Sequence, residues 1–355
     1  MGAGQSIIVK QDGSVWAAGG NEFGQLGRGA RSGRVPNFVK VLPGDADAVA
    51  AGGGHTMVLK RDGSVWATGR NVFGQLGDGS RTDRAGFVKV ISGGAKVVAA
   101  GSRHSMVVKK DGSLWAAGGN WHGQLGDGSD DDRNIFVKVF LNDVVAVAAG
   151  SDHSLMLRQD GSVWATGAND FGQLGVGPNT LIKEKCAQVL AAGAAAIAAG
   201  GYHSIVLKLD GTVWAMGDNE HGQLGDGSRT LRNVLYMVMT CAMGVAAGHY
   251  HSMVLGRDGS VWTTGRNNHG QLGDGSKITN EIFTSVSIDE AQAVAAGGWH
   301  SMIVKRDGSV WTAGGNNQGE LGDGSMIDKT AFIRVAHTSE HGVYCTVSYA
   351  CGVWH

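Results

Sequence analysis

Six histidines recur along this chain: His55, His104, His153, His203, His251 and His300, with Gln5 at the corresponding place near the start. Imidazole is the commonest metal ligand and the side chain that exchanges protons near neutral pH. A set of six therefore invites a metal centre or a general base. Two observations argue against both. Equivalent positions in successive copies of a repeat point around a ring and do not converge on one point. Gln5 also shows that a neutral hydrogen-bonding side chain can stand in for the imidazole. The expected role is structural, a partly buried histidine bonded to neighbouring backbone.

Carboxylates and thiols offer no better chemistry. Gly-Asp-Gly-Ser occurs at 77–80, 126–129, 225–228, 273–276 and 322–325. A calcium loop needs several carboxylates at alternating positions and a closing glutamate, and these are missing, so each Gly-Asp-Gly-Ser reads as a turn. Asp130-Asp131-Asp132 is an acidic tip without a matching ligand set. The four cysteines, Cys186, Cys241, Cys345 and Cys351, contain no Cys-x-x-Cys pair. They make neither a disulfide framework nor a zinc site. Cys345 and Cys351 are near enough in sequence to pair, but free thiols in a reducing compartment are the expected state. Nothing matches a nucleophile–base pair, a P-loop, a dinucleotide fingerprint or a His-Glu-x-x-His helix. The expectation is a chain with no catalytic residue, no metal and no cofactor.

The histidines are positioned by a repeat. Asp-Gly-Ser/Thr-Val/Leu-Trp begins at Asp12, Asp62, Asp111, Asp160, Asp210, Asp258 and Asp307, at intervals of 48 to 50 residues. Seven copies at this period mean a propeller or a solenoid. One unit resolves into four strands. Val49-Ala50-Ala51 is a short apolar run, and Thr56-Met57-Val58-Leu59-Lys60 is a second. Asp62-Gly63 predicts a tight hairpin, of type I′ by its residues. Ser64 to Gly69 alternates polar and apolar as a half-buried strand does. Gly74, Gly77 and Gly79 mark a loop, and Phe87-Val88-Lys89-Val90 is the last strand. Sixty glycines leave no window of helical length with a 3.6 period. The Ala-rich stretch 191–199 is in register with Val49-Ala50-Ala51, so its second half is assigned to a strand. The repeated tryptophans (Trp16, Trp66, Trp115, Trp164, Trp214, Trp262, Trp311) and the leucines from Leu26 to Leu321 are expected to pack one blade on the next.

The predicted fold is all-β, a seven-bladed propeller of four-stranded antiparallel blades, one domain over 1–355. Units run at about 3–51, 52–100, 101–149, 150–199, 200–247, 248–296 and 297–346, with a tail at 347–355. Val343 falls after Phe332 as Val294 falls after Phe283, so a C-terminal strand is expected to close the ring with the N-terminal unit. The chain starts inside a unit, as a trimmed piece of a longer protein would. Met1 to Ser6 matches the myristoylation pattern, but Ser6 is the repeat's own serine and no acylation is expected. The stretch 177–185 replaces the usual Asp-Gly-Ser and is a candidate altered rim loop.

Ala-Gly-x-x-His-Ser at 100–105, Asp-Gly-Ser-Leu-Trp at 111–115, Gly118-Gly119-Asn120 and Gly-Gln-Leu-Gly at 123–126 resemble the regulator of chromosome condensation repeat family. The resemblance runs from residue 3 to about 335 and implies a seven-bladed β-propeller. It also brings three functions to compare with a plain scaffold. Guanine-nucleotide exchange on a small GTPase, the founding member's activity, involves an inserted β-wedge for which the uniform spacing leaves no room. A UV-B sensor of this family clusters tryptophans with Gly-Trp-Arg-His-Thr, which Gly298-Trp299-His300-Ser301 matches in part and once. Many ubiquitin ligases carry such propellers, but no ligase segment lies here.

Thirty Lys and Arg balance 31 Asp and Glu, so no overall basic footprint for nucleic acid exists. No apolar run approaches the ~20 residues that span a bilayer, and no cleavable signal is visible. An intracellular protein, cytoplasmic or nuclear, is expected. Basic residues recur before the turn, as in Lys60-Arg61, Lys109-Lys110 and Lys305-Arg306, and the turn aspartate partly compensates them. Function is expected where residues vary inside the fixed frame. Arg103, Asp152, Tyr202, Tyr250 and Trp299 precede the repeated histidine, and Trp121 and His122 follow the repeated asparagine. Aromatic residues and arginine anchor protein interfaces, so these seven form the candidate partner-binding rim; the alternative is that they cap neighbouring loops. The expected partner is a protein, with a small GTPase or an acidic surface as the candidates.

Overall fold

The computed structural model describes residues 4–31, 33–139, 142–178 and 186–336, together with the backbone of 343–344 and 347–348. Seven sheets of antiparallel strands make the ring. Blade 1 contains Gln5–Lys10, Val15–Gly20 and Arg34–Leu42, and blade 2 contains Ala46–Ala51, His55–Lys60, Val65–Gly69 and Arg84–Ile91. Blades 3 to 7 occupy 95–138, 144–190, 194–239, 242–285 and 291–336. The blade is one strand out of phase with the sequence unit. Each inner strand, rich in alanine, follows the previous blade's outer strand in the chain and pairs with the strand after it.

That offset closes the ring. Val343–Tyr344 pairs antiparallel with the first strand, Val9 opposite Tyr344, and becomes the fourth strand of blade 1. Val347–Ser348 then runs parallel to the inner strand of blade 2, Val347 opposite Val49, and touches the inner strands of blades 3 and 7. It therefore lies on the axis side of the ring. The N-terminal six-residue motif, the two C-terminal cysteines and most of the altered rim loop (179–185) lie outside or only partly inside the described residues.

The Asp-Gly turns differ from the expected type I′. Gly13 N donates to the Lys10 carbonyl at 2.8 Å and Lys10 N to the Ser14 carbonyl at 2.9 Å. Only the glycine is left-handed, with φ 76° at Gly13. This is a three-residue loop, a type I turn followed by a left-handed glycine. Asp12 has no need of a positive φ because its side chain does the work: Oδ1 accepts from Ser14 N at 2.8 Å and Ser14 Oγ at 2.5 Å. The same pair of bonds recurs at all seven turns.

The tryptophans are the blade-to-blade anchors that the repeat predicts. Trp115 of blade 3 packs on the apolar cluster of blade 2 around Met57, Leu59 and Leu76, and Trp164 of blade 4 on that of blade 3. Trp16 of blade 1 packs on blade 7 and completes the circle. Each indole Nε1 donates to the hydroxyl two residues earlier, as Trp66 does to Ser64 at 3.2 Å. A phenylalanine on most outer strands packs on the glycine after the repeated leucine in the preceding blade. A Cβ at Gly77 would meet the Phe136 ring, so only glycine fits.

Candidate functional site

The six histidines build a closed belt of side-chain hydrogen bonds between blades. Nε2 of His55 lies 2.8 Å from Ser105 Oγ, and His104, His153, His203 and His251 reach Ser154, Ser204, Ser252 and Ser301 in the same way. His300 reaches Ser6 at 2.9 Å, and Gln5 Nε2 donates to Thr56 Oγ1 at 3.2 Å, so the belt passes through every blade. Each serine hydroxyl donates onward to a backbone carbonyl, Ser105 to Gln75 at 2.7 Å. The hydroxyl proton is thereby committed, so the imidazole must donate through Nε2–H. Its Nδ1 is buried and has no hydrogen-bond partner among the described residues in all six rings.

This corrects the expected environment: the rings are fully buried, not partly, and they bond to a hydroxyl of the next blade, not to backbone. Burial disfavours the charged form and lowers His55, His104, His203 and His251 to about 3, and His153 and His300 to about 4. Uncharged at neutral pH and sealed from solvent, they are framework. No three His, Cys, Asp or Glu side chains among the described residues are grouped to hold a metal ion.

Immediately above the belt, the loop after the third strand is held by its own repeated side chains. Asn71 Oδ1 accepts from Leu76 N at 3.0 Å, and Gln75 Oε1 accepts from Phe73 N at 3.0 Å. Asn71 Nδ2 donates to Asp78, Ser80 and Thr82. A loop pinned at both ends presents the residues between them to solvent in a fixed orientation. Those residues are the variable ones.

On this face the variable side chains assemble into two clusters. Over blades 1 to 3, Arg70 lies 5.1 Å above the Phe23 ring and 5.7 Å from Phe73. Phe73 meets Trp121 edge-on at 5.6 Å, and Arg103 lies 5.4 and 5.8 Å from these two rings. Over blades 4 to 7, Phe171 touches Tyr202 at 5.1 Å, and Tyr202 touches both His249 and Tyr250. His249 stacks on Trp299 with an interplanar angle of 11°, and Tyr250 lies 5.5 Å from Trp299. Arg266 sits 4.8 Å from Trp299, while His221 and His269 approach Tyr250 and Trp299 edge-on.

The electrostatics of the face are uneven. Among the described residues Arg70, Arg103 and Arg266 make no ion pair, and Arg70 Nε and Arg266 Nε are buried without a partner. Burial, with the Arg266 charge adding to it, holds the His249 imidazole down at about 4. Burial and the Asp152 carboxylate raise the Tyr202 phenol, and Asp152 Oδ1 is itself buried without a partner. Asp218 is tied down by Gln223 Nε2 at 2.8 Å.

Of the seven rim residues expected from sequence, Tyr202, Tyr250 and Trp299 meet in one cluster and Arg103 and Trp121 in the other. Asp152 lies beside Tyr202. His122 is half-buried, its backbone N–H bonded to Gln124 at 3.0 Å, and none of these ring contacts involves it. Sequence reasoning missed Arg70, Arg266 and His249. Their signal was available: Arg70 and Arg266 occupy the position before the repeated asparagine, where other units have Gly20, Gly119, Ala168, Asp218 and Gly315. His249 stands where other units have glycine, serine or alanine.

Comparison with known proteins adds the family. The RCC1-like domain model matches residues 98–355, and the regulator of chromosome condensation (RCC1) repeat model matches 12–59 and 62–108, with a second repeat model at 46–75. No curated protein sequence matches the chain. Among solved structures it is similar to Prp20p of Saccharomyces cerevisiae, described with its binding to Gsp1p and histones, at 24% identity and TM-score 0.83 over 94% of this chain and 88% of that one. Human WBSCR16 is similar at 23% identity and TM-score 0.82, over 91% of this chain and 94% of that one. These likenesses show the fold.

Proposed function

This chain belongs to the family of RCC1-like domains, and from that premise we propose that it is a non-enzymatic protein-binding propeller, a scaffold or a subunit of a larger assembly. One observation carries the reading. A face held by pinned loops displays aromatic rings interleaved with three arginines that make no ion pair among the described residues. Trp121 is 60% exposed although its neighbours Phe73 and Arg103 touch it. Rigid aromatic and arginine side chains lose little entropy when they dock, which is why they dominate interface energetics. Unpaired guanidiniums favour an acidic surface on the partner. The family reading supports a binding role.

The test is affinity capture of the intact protein from its native extract, beside a Trp121→Ala/Tyr250→Ala variant shown by circular dichroism to be folded. A defined partner retained by the parent and lost by the variant supports the reading. Identical capture by both contradicts it.

A second reading has one observation in its favour: the similar Prp20p is described as binding Gsp1p. On that reading the acidic partner is a small GTPase, and the protein accelerates nucleotide release. Release of a fluorescent guanosine diphosphate from Gsp1p separates the two. The scaffold reading expects the uncatalysed rate, and the exchange reading expects a strong acceleration that Trp121→Ala/Tyr250→Ala removes.

A further inference from the structure

At the other end of the strands five of the seven blades carry a lysine over their tryptophan. Lys10, Lys60, Lys109, Lys208 and Lys305 lie over Trp16, Trp66, Trp115, Trp214 and Trp311 at 4.1, 4.8, 3.9, 3.9 and 5.5 Å. Blade 4 has Arg158 at this position, within ion-pair reach of the turn carboxylate Asp160 at 4.0 Å. Blade 6 has Gly256. Its outer strand offers no substitute, since the residue opposite Trp262 is Ser285 where blades 1 to 3 have Lys40, Lys89 and Lys138. The turn carboxylate shares the vacancy. Six of the seven turn aspartates feel a lysine or arginine; Asp258 is held down by its Ser260 hydrogen bonds and makes no ion pair among the described residues, since Arg257 turns away to the Asp210 carbonyl.

The vacant place opens into a groove of about 950 Å³ between blades 5 and 6. Met237, Met239, Phe283 and Ile282 give it apolar walls, and Trp262 and Asp258 line the end where the lysine is missing. Arg257 also lines it, but its guanidinium is turned to the Asp210 carbonyl on blade 5. Asp226 is neutralised by Arg232.

We propose that this groove is a second binding site, which takes a lysine side chain presented by an extended apolar segment of a protein partner. The ammonium occupies the seat that an internal lysine fills in five other blades, over the Trp262 face and beside the Asp258 carboxylate. The flanking apolar side chains cover Met237 and Ile282, which are 49% and 59% exposed. Charge complementarity selects the occupant: an aromatic face and an unpaired carboxylate attract a cation and repel an acidic peptide. The site lies at the opposite end of the blades from the aromatic–arginine face and does not rest on it.

The test is fluorine NMR of the full chain labelled with 5-fluorotryptophan, with the Trp262 resonance assigned by Trp262→Phe. The probes are the peptides acetyl-Val-Leu-Lys-Ile-Val-amide and its norleucine analogue. The lysine peptide should shift Trp262 saturably and leave Trp214 unmoved, and norleucine should bind at least about fivefold more weakly, the size of a cation–π contact. Gly256→Lys should fill the seat and abolish the shift. In that variant a Cβ meets Ser260 Oγ at 2.5 Å and Asp258 Oδ1 at 2.7 Å, so both must turn aside. Asp258→Asn, which adds no atoms, should weaken the lysine peptide severalfold and so tests the seat even if Gly256→Lys fails to fold. An unmoved Trp262, or equal binding of both peptides, overturns the proposal. So does a Trp262 shift that follows protein concentration without peptide, which would assign the groove to a second copy of this chain.

Discussion

The two faces of the ring come from the same seven repeats and differ in kind. At the turn face each blade solves its electrostatics internally. Asp accepts from Ser, Ser accepts from the Trp indole, and a lysine covers the ring. Two blades depart: blade 4 has Arg158 in place of the lysine, near Asp160, and blade 6 has Gly256. At the opposite face the repeated Asn and Gln hold the loop backbone and leave the side chains between them unspecified. There the chain has placed arginines, tyrosines and tryptophans that contact one another across blades, and among the described residues these arginines make no ion pair. A self-satisfied surface is a stability device. A rigid surface with unsatisfied groups suits docking, and on the proposed reading it is the one that binds.

If the belt between the faces is framework, acid should break the molecule through it. The six imidazoles are held at about 3 to 4, below the ordinary 6.5. Between those values the unfolded chain binds protons that the folded chain refuses, so stability is intact above pH 6.5 and falls as pH drops through this window. Each ring can contribute up to about 1.4 kcal/mol per pH unit, the largest effect predicted here. Melting temperature should fall steeply from pH 7 to pH 5. His104→Gln, copying the natural Gln5, should flatten the profile; an unchanged profile would remove the belt from the account.

Ser105→Ala should come next, at about 2 kcal/mol, because it orphans the His55 Nε2–H and the Gln75 carbonyl together. Urea unfolding reads it. On the turn face, Lys60→Ala should cost about 0.5–1 kcal/mol through the lost contact over Trp66. A larger loss would mean that the turn face carries more of the fold than its half-buried lysines imply. On the aromatic face, Trp121→Ala should change stability by no more than about 0.5 kcal/mol. A cost of several kcal/mol would make Trp121 a packing residue and erase the contrast between the faces.

Much of the fold was legible because the repeat is a physical statement. Residues that recur every 48 to 50 positions occupy equivalent places, so seven tryptophans and seven Asp-Gly turns read directly as seven blades. The turn type was misread because Asp-Gly is compatible with two loops, and the choice is made by Ser14, whose bonds to Asp12 remove any demand for a left-handed aspartate. The partner of His55 was hidden because Ser105 lies 50 residues on and meets it only across the blade junction. On the candidate face, aromatic content drew attention to Tyr250 and Trp299. Arg266, which ties them together, sits in a column of glycine, alanine and aspartate that carries no aromatic signal.

The central claim is that the aromatic–arginine face, and not the turn face, binds the principal partner. The direct measurement is isothermal titration of the captured partner against the parent and two folded variants. Trp121→Ala/Arg266→Ala should weaken binding by at least tenfold, as loss of interface anchors does, while Lys60→Ala/Lys109→Ala should bind as the parent does. The reverse pattern, with the lysine variant impaired and the aromatic variant unaffected, would contradict the account.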